Sequence, residues 1–283
     1  MPELPEVETM CRGVAACVGR RIAAIDKPRC RLKPIHIAPR LAQLRRRVVG
    51  RRIMAVDRAG KRVIVRLEDD DALVFEPRMT GLVLLAEPPN REHLRLQLTF
   101  DDGAIPERLL YWDRRGLGSV RLMSVAQMAA AFGAGQLGTD ALKITARQLE
   151  AQLDSSRREI KVALLDQRAV AGIGNLYAAE ILHVAGIHPQ RRCDRLTADQ
   201  WQRLHRAMRS VLRAAIRYEG STLTDGTYRN ALNRRGRYQN HHRVYNRAGQ
   251  LCPECGRKKI QRIVQAQRST FFCPGCQPLS TEY

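Results

Sequence analysis

Residues 1–9 read Met1-Pro2-Glu3-Leu4-Pro5-Glu6-Val7-Glu8-Thr9, and they admit two readings. If Met1 is removed, as the small residue after it permits, Pro2 becomes the N-terminus and its ring nitrogen a free secondary amine. An α-amino group titrates near pH ~8, so a useful fraction is unprotonated at neutral pH and can attack a sugar carbon. Condensed with an aldehyde, such an amine gives an iminium ion whose fixed charge acidifies the neighbouring C–H bond for elimination. Glu3 and Glu6 bring carboxyls for proton transfer beside it. In the plainer reading Pro2 opens a helix, and Glu3, Glu6 and Glu8 complement the helix dipole. Nine residues alone favour the plainer reading. The balance shifts at the other end of the chain, where a cysteine quartet with metal-ligand spacing sits in a strongly basic setting.

Outward from that stretch, the 283-residue chain is long enough for two domains and a small module. Its formal net charge of +21 and pI of about 10.5 attract polyanions, and nucleic acid is the expected partner, because phosphate neutralisation by Arg and Lys dominates such affinity. A generally Arg-rich proteome accounts for part of the excess. No apolar run is long enough to span a membrane, and the N-terminus lacks the regions of a signal peptide, so a cytosolic protein with no membrane partner is expected. Of eight cysteines, Cys11, Cys17, Cys30 and Cys193 are scattered, and in a reducing compartment they read as free, mostly buried thiols.

Apolar residues at Val7, Met10, Cys11, Val14, Ala15 and Val18 follow helical spacing, with Gly19 a natural stop. From Arg21 to about Arg121 the period becomes two. Val63, Val65 and Leu67 alternate with Arg62, Ile64 and Arg66, and Leu94, Leu96, Leu98 and Phe100 alternate with Arg95, Gln97 and Thr99. Turn signals at Asp102-Gly103 and Pro88-Pro89-Asn90 separate the runs, which predicts an antiparallel β-sandwich carrying one N-terminal helix. Alanine-rich helical patterns begin after Ser124, and Gly133, Gly135 and Gly138 mark a hinge. Two helices between Arg157 and Ile187 flank the turn Gly172-Ile173-Gly174-Asn175, and a long helix runs from Thr197 to about Tyr218. A glycine turn entering a helix can hold a phosphate on its N–H groups. A helix-two-turn-helix element and a plain helical hairpin both fit this stretch.

Residues 220–249 lack apolar periodicity and read as a long loop region. Then Cys252-Pro-Glu-Cys255 and Cys273-Pro-Gly-Cys276 form two C-x-x-C pairs separated by seventeen residues, the spacing that lets two turns offer four thiolates to one structural Zn2+. The segment is too small to fold without metal. Arg257, Lys258, Lys259, Arg262 and Arg268 surround it, which suits a phosphate-gripping hairpin. The expected organisation is α+β and multidomain: a β-sandwich with an N-terminal helix over 1–133, a helical domain over 134–235 in which the helix-two-turn-helix and the plain hairpin both stay open, and a β-hairpin zinc finger over 236–283.

With these residues assembled, the chain resembles the bacterial, zinc-containing formamidopyrimidine-DNA glycosylases from end to end. The start MPELPEVET is that family's hallmark, and Leu4 separates it from the endonuclease VIII relatives, which usually carry glycine there. Further matches are the segment around Lys61, Met79-Thr80-Gly81, Gly172 to Tyr177, Ile187-His188-Pro189, Val244-Tyr245 and Ala266 to Phe271, in the family's order.

The resemblance implies a base-excision repair enzyme, both glycosylase and abasic-site lyase, acting as a monomer on damaged double-stranded DNA in the bacterial cytoplasm, at the nucleoid. An oxidised purine such as 8-oxoguanine or a formamidopyrimidine would be flipped out of the duplex. Pro2 would displace it from C1′, Glu3 would assist sugar-ring opening, and Lys61 and Arg268 would assist the two eliminations that cut the strand. Asn175 and Tyr245 would hold backbone phosphates, Met79 would fill the hole left by the base, and Arg115 would meet the orphaned partner base. Glu6, Arg91 and Arg157 complete the expected DNA-binding set. The 220–227 loop stands where the family reads the lesion.

The chain also departs from the family. Glu76 and Pro77 replace a usual His-Leu pair, Arg91 replaces one of two usual histidines, with His93 keeping the other, and Gly116 and Leu117 follow Arg115 where an arginine and a phenylalanine are usual. Loss of that aromatic should weaken stacking by roughly 1 to 3 kcal/mol. Two other functions compete with this reading: the same chemistry on oxidised pyrimidines, which Leu4 disfavours, and a non-catalytic zinc-finger DNA-binding protein, which needs no free Pro2.

Overall fold

Two β-sheets facing each other carry the N-terminal half. They are seen in a computed structural model that describes residues 2–101, 103, 105–224 and 226–279. Met1, whose removal the sequence reading expects, lies outside the described residues. In chain order the first elements are α1 (Leu4–Val14), β1 (Ile22–Asp26), β2 (His36–Ala38), α2 (Leu41–Val48), β3 (Ile53–Ala59), β4 (Arg62–Leu67) and β5 (Ala72–Glu76). They continue with β6 (Gly81–Leu84), β7 (Leu94–Phe100), β8 (Arg108–Asp113), β9 (Ser119–Met123) and α3 (Val125–Phe132). One sheet has the order β1-β7-β8-β6 and the other β2-β9-β5-β4-β3. Neighbours are antiparallel except β2 and β9, which run parallel. The alternation at 62–67 and 94–100 is what buries Val63, Val65, Leu67, Leu96 and Leu98 in the core between them.

Leu4, Val7, Met10 and Val14 of α1 are fully buried, and the helix packs on β3, β4 and β6. Each such side chain stabilises the fold by about 1.5 to 3 kcal/mol. The helix is shorter than its apolar spacing suggests. It ends at Val14, a 3-10 turn spans Ala15–Cys17, and Gly19 follows at φ +89°. A helix also interrupts the expected run of strands: α2 buries Leu44 and Val48, a short amphipathic signal hidden among arginines.

The compact units are not consecutive segments. Residues 216–239 pack with 2–133, and residues 240–279 with 134–215. Tyr228 and Ala231 enter the core of the first unit, and the Leu85 N–H donates to the Ala231 carbonyl at 2.9 Å. Residues 220–224 and 226–237 therefore have little periodicity because they lie against that core as irregular chain.

The remaining elements are β10 (Thr139–Asp140), α4 (Ala146–Leu153), α5 (Ile160–Leu164), β11 (Val170–Ala171), α6 (Asn175–Ala185), α7 (Ala198–Arg217), β12 (Gln261–Gln265) and β13 (Arg268–Phe272). α4 starts at a capping box of Thr145 and Gln148, and Thr197 with Gln200 forms the same reciprocal pair before α7. Between α5 and α6 the chain turns at Gly172, φ +106°, a conformation suited to glycine. Among the described residues no helix is long and apolar enough to cross a membrane.

Candidate active site

Pro2 and Glu3 lie buried at the start of α1. Glu3 is the N-cap residue, and its backbone N–H donates to Glu6 Oε2 at 3.0 Å. The other oxygen of Glu6 accepts the Ser221 N–H at 2.8 Å. Glu6 is 3% exposed, so this carboxylate ties the N-terminus to the start of the 220–227 segment. A Cβ on Gly220, φ +78°, would come 2.9 Å from Glu6 Oε1, which requires glycine at this approach. Tyr228 is buried against the same place, its hydroxyl donating to the Glu219 carbonyl at 3.0 Å. Glu6 thus fastens Ser221 to the Glu3 N–H, one residue from Pro2.

Lys61 sits half-buried in the two-residue turn Gly60-Lys61 between β3 and β4, with Gly60 at φ +56°. Two residues before the turn, Arg58 Nε donates to Glu8 Oε2 at 2.9 Å and Nη1 to the Gly60 carbonyl at 3.0 Å. Burial pushes the Glu8 carboxyl up, but hydrogen bonds from Arg58 and Arg12 outweigh it and hold it below the usual range. The Glu8–Arg58 pair therefore braces the Lys61 turn on the same helix that presents Pro2. The dipole reading of Glu8 missed this partner, fifty residues away.

A second group gathers around Asp113, which is fully buried. One of its oxygens accepts the Thr80 hydroxyl and, at 3.2 Å, the Arg115 N–H; the other accepts the Gly118 N–H at 2.8 Å. Thr80 Oγ1 also accepts the Arg115 N–H at 3.0 Å. This knot places Met79, 39% exposed, on one turn and exposed Arg115 on the adjacent loop. Asp113→Ala would orphan the Thr80 hydroxyl and the Gly118 N–H, leaving the Arg115 N–H only its bond to Thr80, and is expected to cost roughly 2 to 4 kcal/mol, read as a fall in the urea midpoint at unchanged m-value. The Glu76 departure has a structural partner set: its carboxylate pairs with Arg62 at 3.2 Å and Arg78 at 3.3 Å. Arg91 projects into solvent, 79% exposed and loosely paired with Glu87 at 3.5 Å. Arg157 is exposed as well.

In the second unit, Asn175 opens α6. Its Nδ2 donates to the Ser269 carbonyl at 2.9 Å, and its Oδ1 accepts from Lys161 Nζ at 2.6 Å. Lys161 is fully buried. Asn175 thereby joins α5 and α6 to β13. Arg268 begins β13 directly after the turn Ala266-Gln267, both residues at positive φ, the two-residue hairpin form that matches strand twist. Its side chain is exposed beside the turn. Tyr245 is placed by Glu180, a fully buried carboxylate that accepts the N–H groups of Arg243, Val244 and Tyr245 at 2.8 to 2.9 Å. The Tyr245 ring meets Phe271 and His242 edge-on. Glu180 and Lys161 escaped the sequence reading; each is a lone charge in an apolar helical run, the one signal available.

His242 is 8% exposed, and burial, helped by Arg247 and His241, pushes its imidazole down to about 4. The folded state thus favours the neutral ring. Its stabilising effect is complete above the unfolded value near 6.5 and is lost as pH falls through about 4. Between those values this one ring should remove up to roughly 3 kcal/mol. The His242→Phe variant should show a flatter dependence of urea midpoint on pH in that window.

The four hairpin cysteines place their Sγ atoms within 4.8 Å of one another. Cys252 to Cys276 is 3.8 Å and Cys255 to Cys273 is 3.7 Å. A tetrahedral zinc with Zn–S of about 2.3 Å requires S···S edges of about 3.8 Å, so the residues fit one structural zinc. Backbone N–H groups of Arg257 and Lys258 pull the Cys255 thiol down to about 6, while burial pushes the Cys273 and Cys276 thiols up, so it is the sulfur geometry that marks the metal site. Burial pushes Cys11 and Cys17 up to about 12 and Cys193 up to about 11, consistent with inert core thiols.

Three family models match the chain: the formamidopyrimidine-DNA glycosylase N-terminal domain over residues 1–120, the formamidopyrimidine-DNA glycosylase H2TH domain over 137–227, and a zinc finger found in FPG and IleRS over 249–279. A formamidopyrimidine-DNA glycosylase of Chloroflexus aggregans is 43% identical, with 99% of each chain covered, and one of Gluconobacter oxydans is 38% identical over 98% of this chain and all of that one. Among solved structures, a Lactococcus lactis FPG variant in complex with a Fapy-dG-containing DNA superimposes with TM-score 0.85 at 34% identity, covering 98% of this chain and 100% of that one. The MutM (Fpg) protein of Thermus thermophilus does so with TM-score 0.83 at 35% identity, covering 98% of each. Identity of this extent over the whole length, on a buried N-terminal proline and a four-cysteine hairpin, places the chain in the formamidopyrimidine-DNA glycosylase family.

Proposed function

We propose that the protein is a base-excision DNA glycosylase for oxidised purines, with abasic-site lyase activity, and that Pro2 is its nucleophile. The observation that carries this reading is the Pro2-Glu3-Glu6 arrangement: a buried proline next to the N-cap Glu3, whose N–H is held by the Glu6 carboxylate that also holds Ser221. A chain that only bound DNA would have no use for it. Once Met1 is removed, the Pro2 nitrogen attacks C1′ of the extruded nucleoside, the C1′–N bond breaks, and the base departs with the bonding pair. Glu3 delivers a proton to the ring oxygen as the sugar opens to the iminium. Loss of a C2′ proton then expels the 3′ phosphate, and a second elimination expels the 5′ phosphate.

Lys61 and Arg268 are assigned to those phosphates, as are Asn175 and Tyr245. Arg91 and Arg157 are left as solvated contributors to the field. Glu6 acts by holding Ser221, at the start of the stretch assigned to reading the lesion. Met79 fills the vacated stack and Arg115 meets the partner base. Zinc keeps the hairpin folded, so that Arg268 is presented on a defined turn. The protein is proposed to work as a monomer on chromosomal DNA in the cytoplasm. A panel of duplexes with 8-oxoguanine, a formamidopyrimidine and thymine glycol, each opposite its normal partner, tests the reading. Preferential excision of the two purine lesions is expected; preference for thymine glycol would assign the chemistry to oxidised pyrimidines instead.

A further inference from the structure

Two exposed loops of the first unit are fastened into one surface. The first, residues 27–34, carries Lys27, Arg29, Arg31 and Lys33, all exposed. The second carries Arg114 and Arg115, also exposed. Three attachments join them. Arg95, 2% exposed, donates from Nε to the Asp113 carbonyl at 2.7 Å while its Nη1 reaches Cys30 Sγ. Gly116, at φ +61°, lies so close to the first loop that a Cβ there would stand 2.2 Å from the Lys33 carbonyl oxygen. Beyond it, the His36 N–H donates to the Gly118 carbonyl at 3.3 Å, where β2 and β9 begin to pair. Gly116 is therefore the residue that lets the basic loop seat beside Arg115.

None of the six cationic side chains makes an ion pair among the described residues, and the neighbouring carboxylates are engaged elsewhere. Asp26 pairs with Arg45 at 2.8 Å, and Asp113 is buried in its knot of donors. Six unpaired cations on two locked loops form a strip of one sign, with exposed Leu32 and Leu117 on the same loops. Such a strip suits a run of evenly spaced phosphates.

We infer that residues 27–34 grip the backbone of the undamaged strand, the one opposite the lesion, and so set the affinity and register with which Arg115 approaches the partner base. This rests on the proposed function, in which Arg115 meets that base: a loop fastened to the Arg115 loop extends along the strand that carries it. Arg29, Arg31 and Lys33 take no part in the chemistry, so they govern capture of the duplex and leave the excision step alone.

The test uses the full-length, zinc-loaded protein and its Arg29→Ala/Arg31→Ala/Lys33→Ala variant. Binding to a duplex containing a tetrahydrofuran abasic analogue is measured over a range of salt concentrations, and single-turnover release of 8-oxoguanine is measured at saturating enzyme. The variant should bind roughly tenfold or more weakly near physiological salt, with a log K versus log salt slope shallower by about 2 to 3, and should release base at the wild-type rate. When phosphates of the undamaged strand are replaced by neutral methylphosphonates, the difference between the two proteins should vanish. An unchanged slope would overturn the inference. So would a difference that persists on that neutral backbone, because the loop would then contact the lesion strand. If the wild-type protein itself neither binds nor excises, the proposed function fails first, and the salt comparison is not what shows it.

Discussion

Removing the metal, by chelation or by Cys273→Ser, is expected to unfold the hairpin of residues 249–279 and reduce affinity for a lesion duplex toward its non-specific level, on the order of a thousandfold. The cysteines are themselves part of the apolar cluster of this module. Cys273 is fully buried and Cys252 1% exposed, packed with Val244, Ile260 and Phe271. So small a core cannot replace the roughly 10 to 16 kcal/mol that a structural zinc supplies. Two assigned phosphate contacts would be lost with it: Arg268, placed by the Ala266-Gln267 turn, and Asn175, whose Nδ2 needs the Ser269 carbonyl. Fluorescence anisotropy on a tetrahydrofuran duplex, with thiol titration to follow the metal, checks this. Full affinity in a zinc-free chain would show that the hairpin folds without it.

The other large effect concerns the N-terminus. A chain carrying an uncleavable N-terminal extension keeps Pro2 inside a peptide bond, where the nitrogen lone pair is delocalised and cannot attack carbon. Base release is expected to fall by about 10^4-fold or more, the order found when a covalent nucleophile is lost. The zinc module and the Asp113 knot are untouched, so binding to the abasic analogue should stay within a few fold. Single-turnover excision measured alongside anisotropy separates the two. A comparable loss of binding would mean that the extension blocks the site and that the rate says nothing about Pro2.

Much of this architecture was legible in the residues. Alternation at 62–67 and 94–100 announced sheets because each strand buries one face, and the C-x-x-C spacing announced a metal because few other arrangements use four such thiols. What escaped was whatever depends on partners distant in sequence. Residues 216–239 join the N-terminal core through Tyr228, Ala231 and the Ser221 N–H, none of which leaves a periodic trace. Glu6 looks like a proton-transfer group in a one-dimensional reading, yet its two oxygens hold Glu3 and Ser221. Glu8 looks like a dipole complement, yet it braces the Lys61 turn through Arg58. Gly116 looks like a missing arginine, and it is the glycine that admits the Lys33 carbonyl. In each case a side chain or a φ angle is explained by a neighbour that spacing cannot name.

The most direct measurement is borohydride trapping of the Met1-processed protein on a duplex with one 8-oxoguanine opposite cytosine, followed by proteolysis and mass mapping of the adduct. A covalent protein–DNA species is expected whose sugar remnant maps to Pro2, with intact mass showing Met1 absent. An adduct mapping to Lys61 or any other lysine, or strand cleavage by the same preparation with no adduct at all, would contradict it.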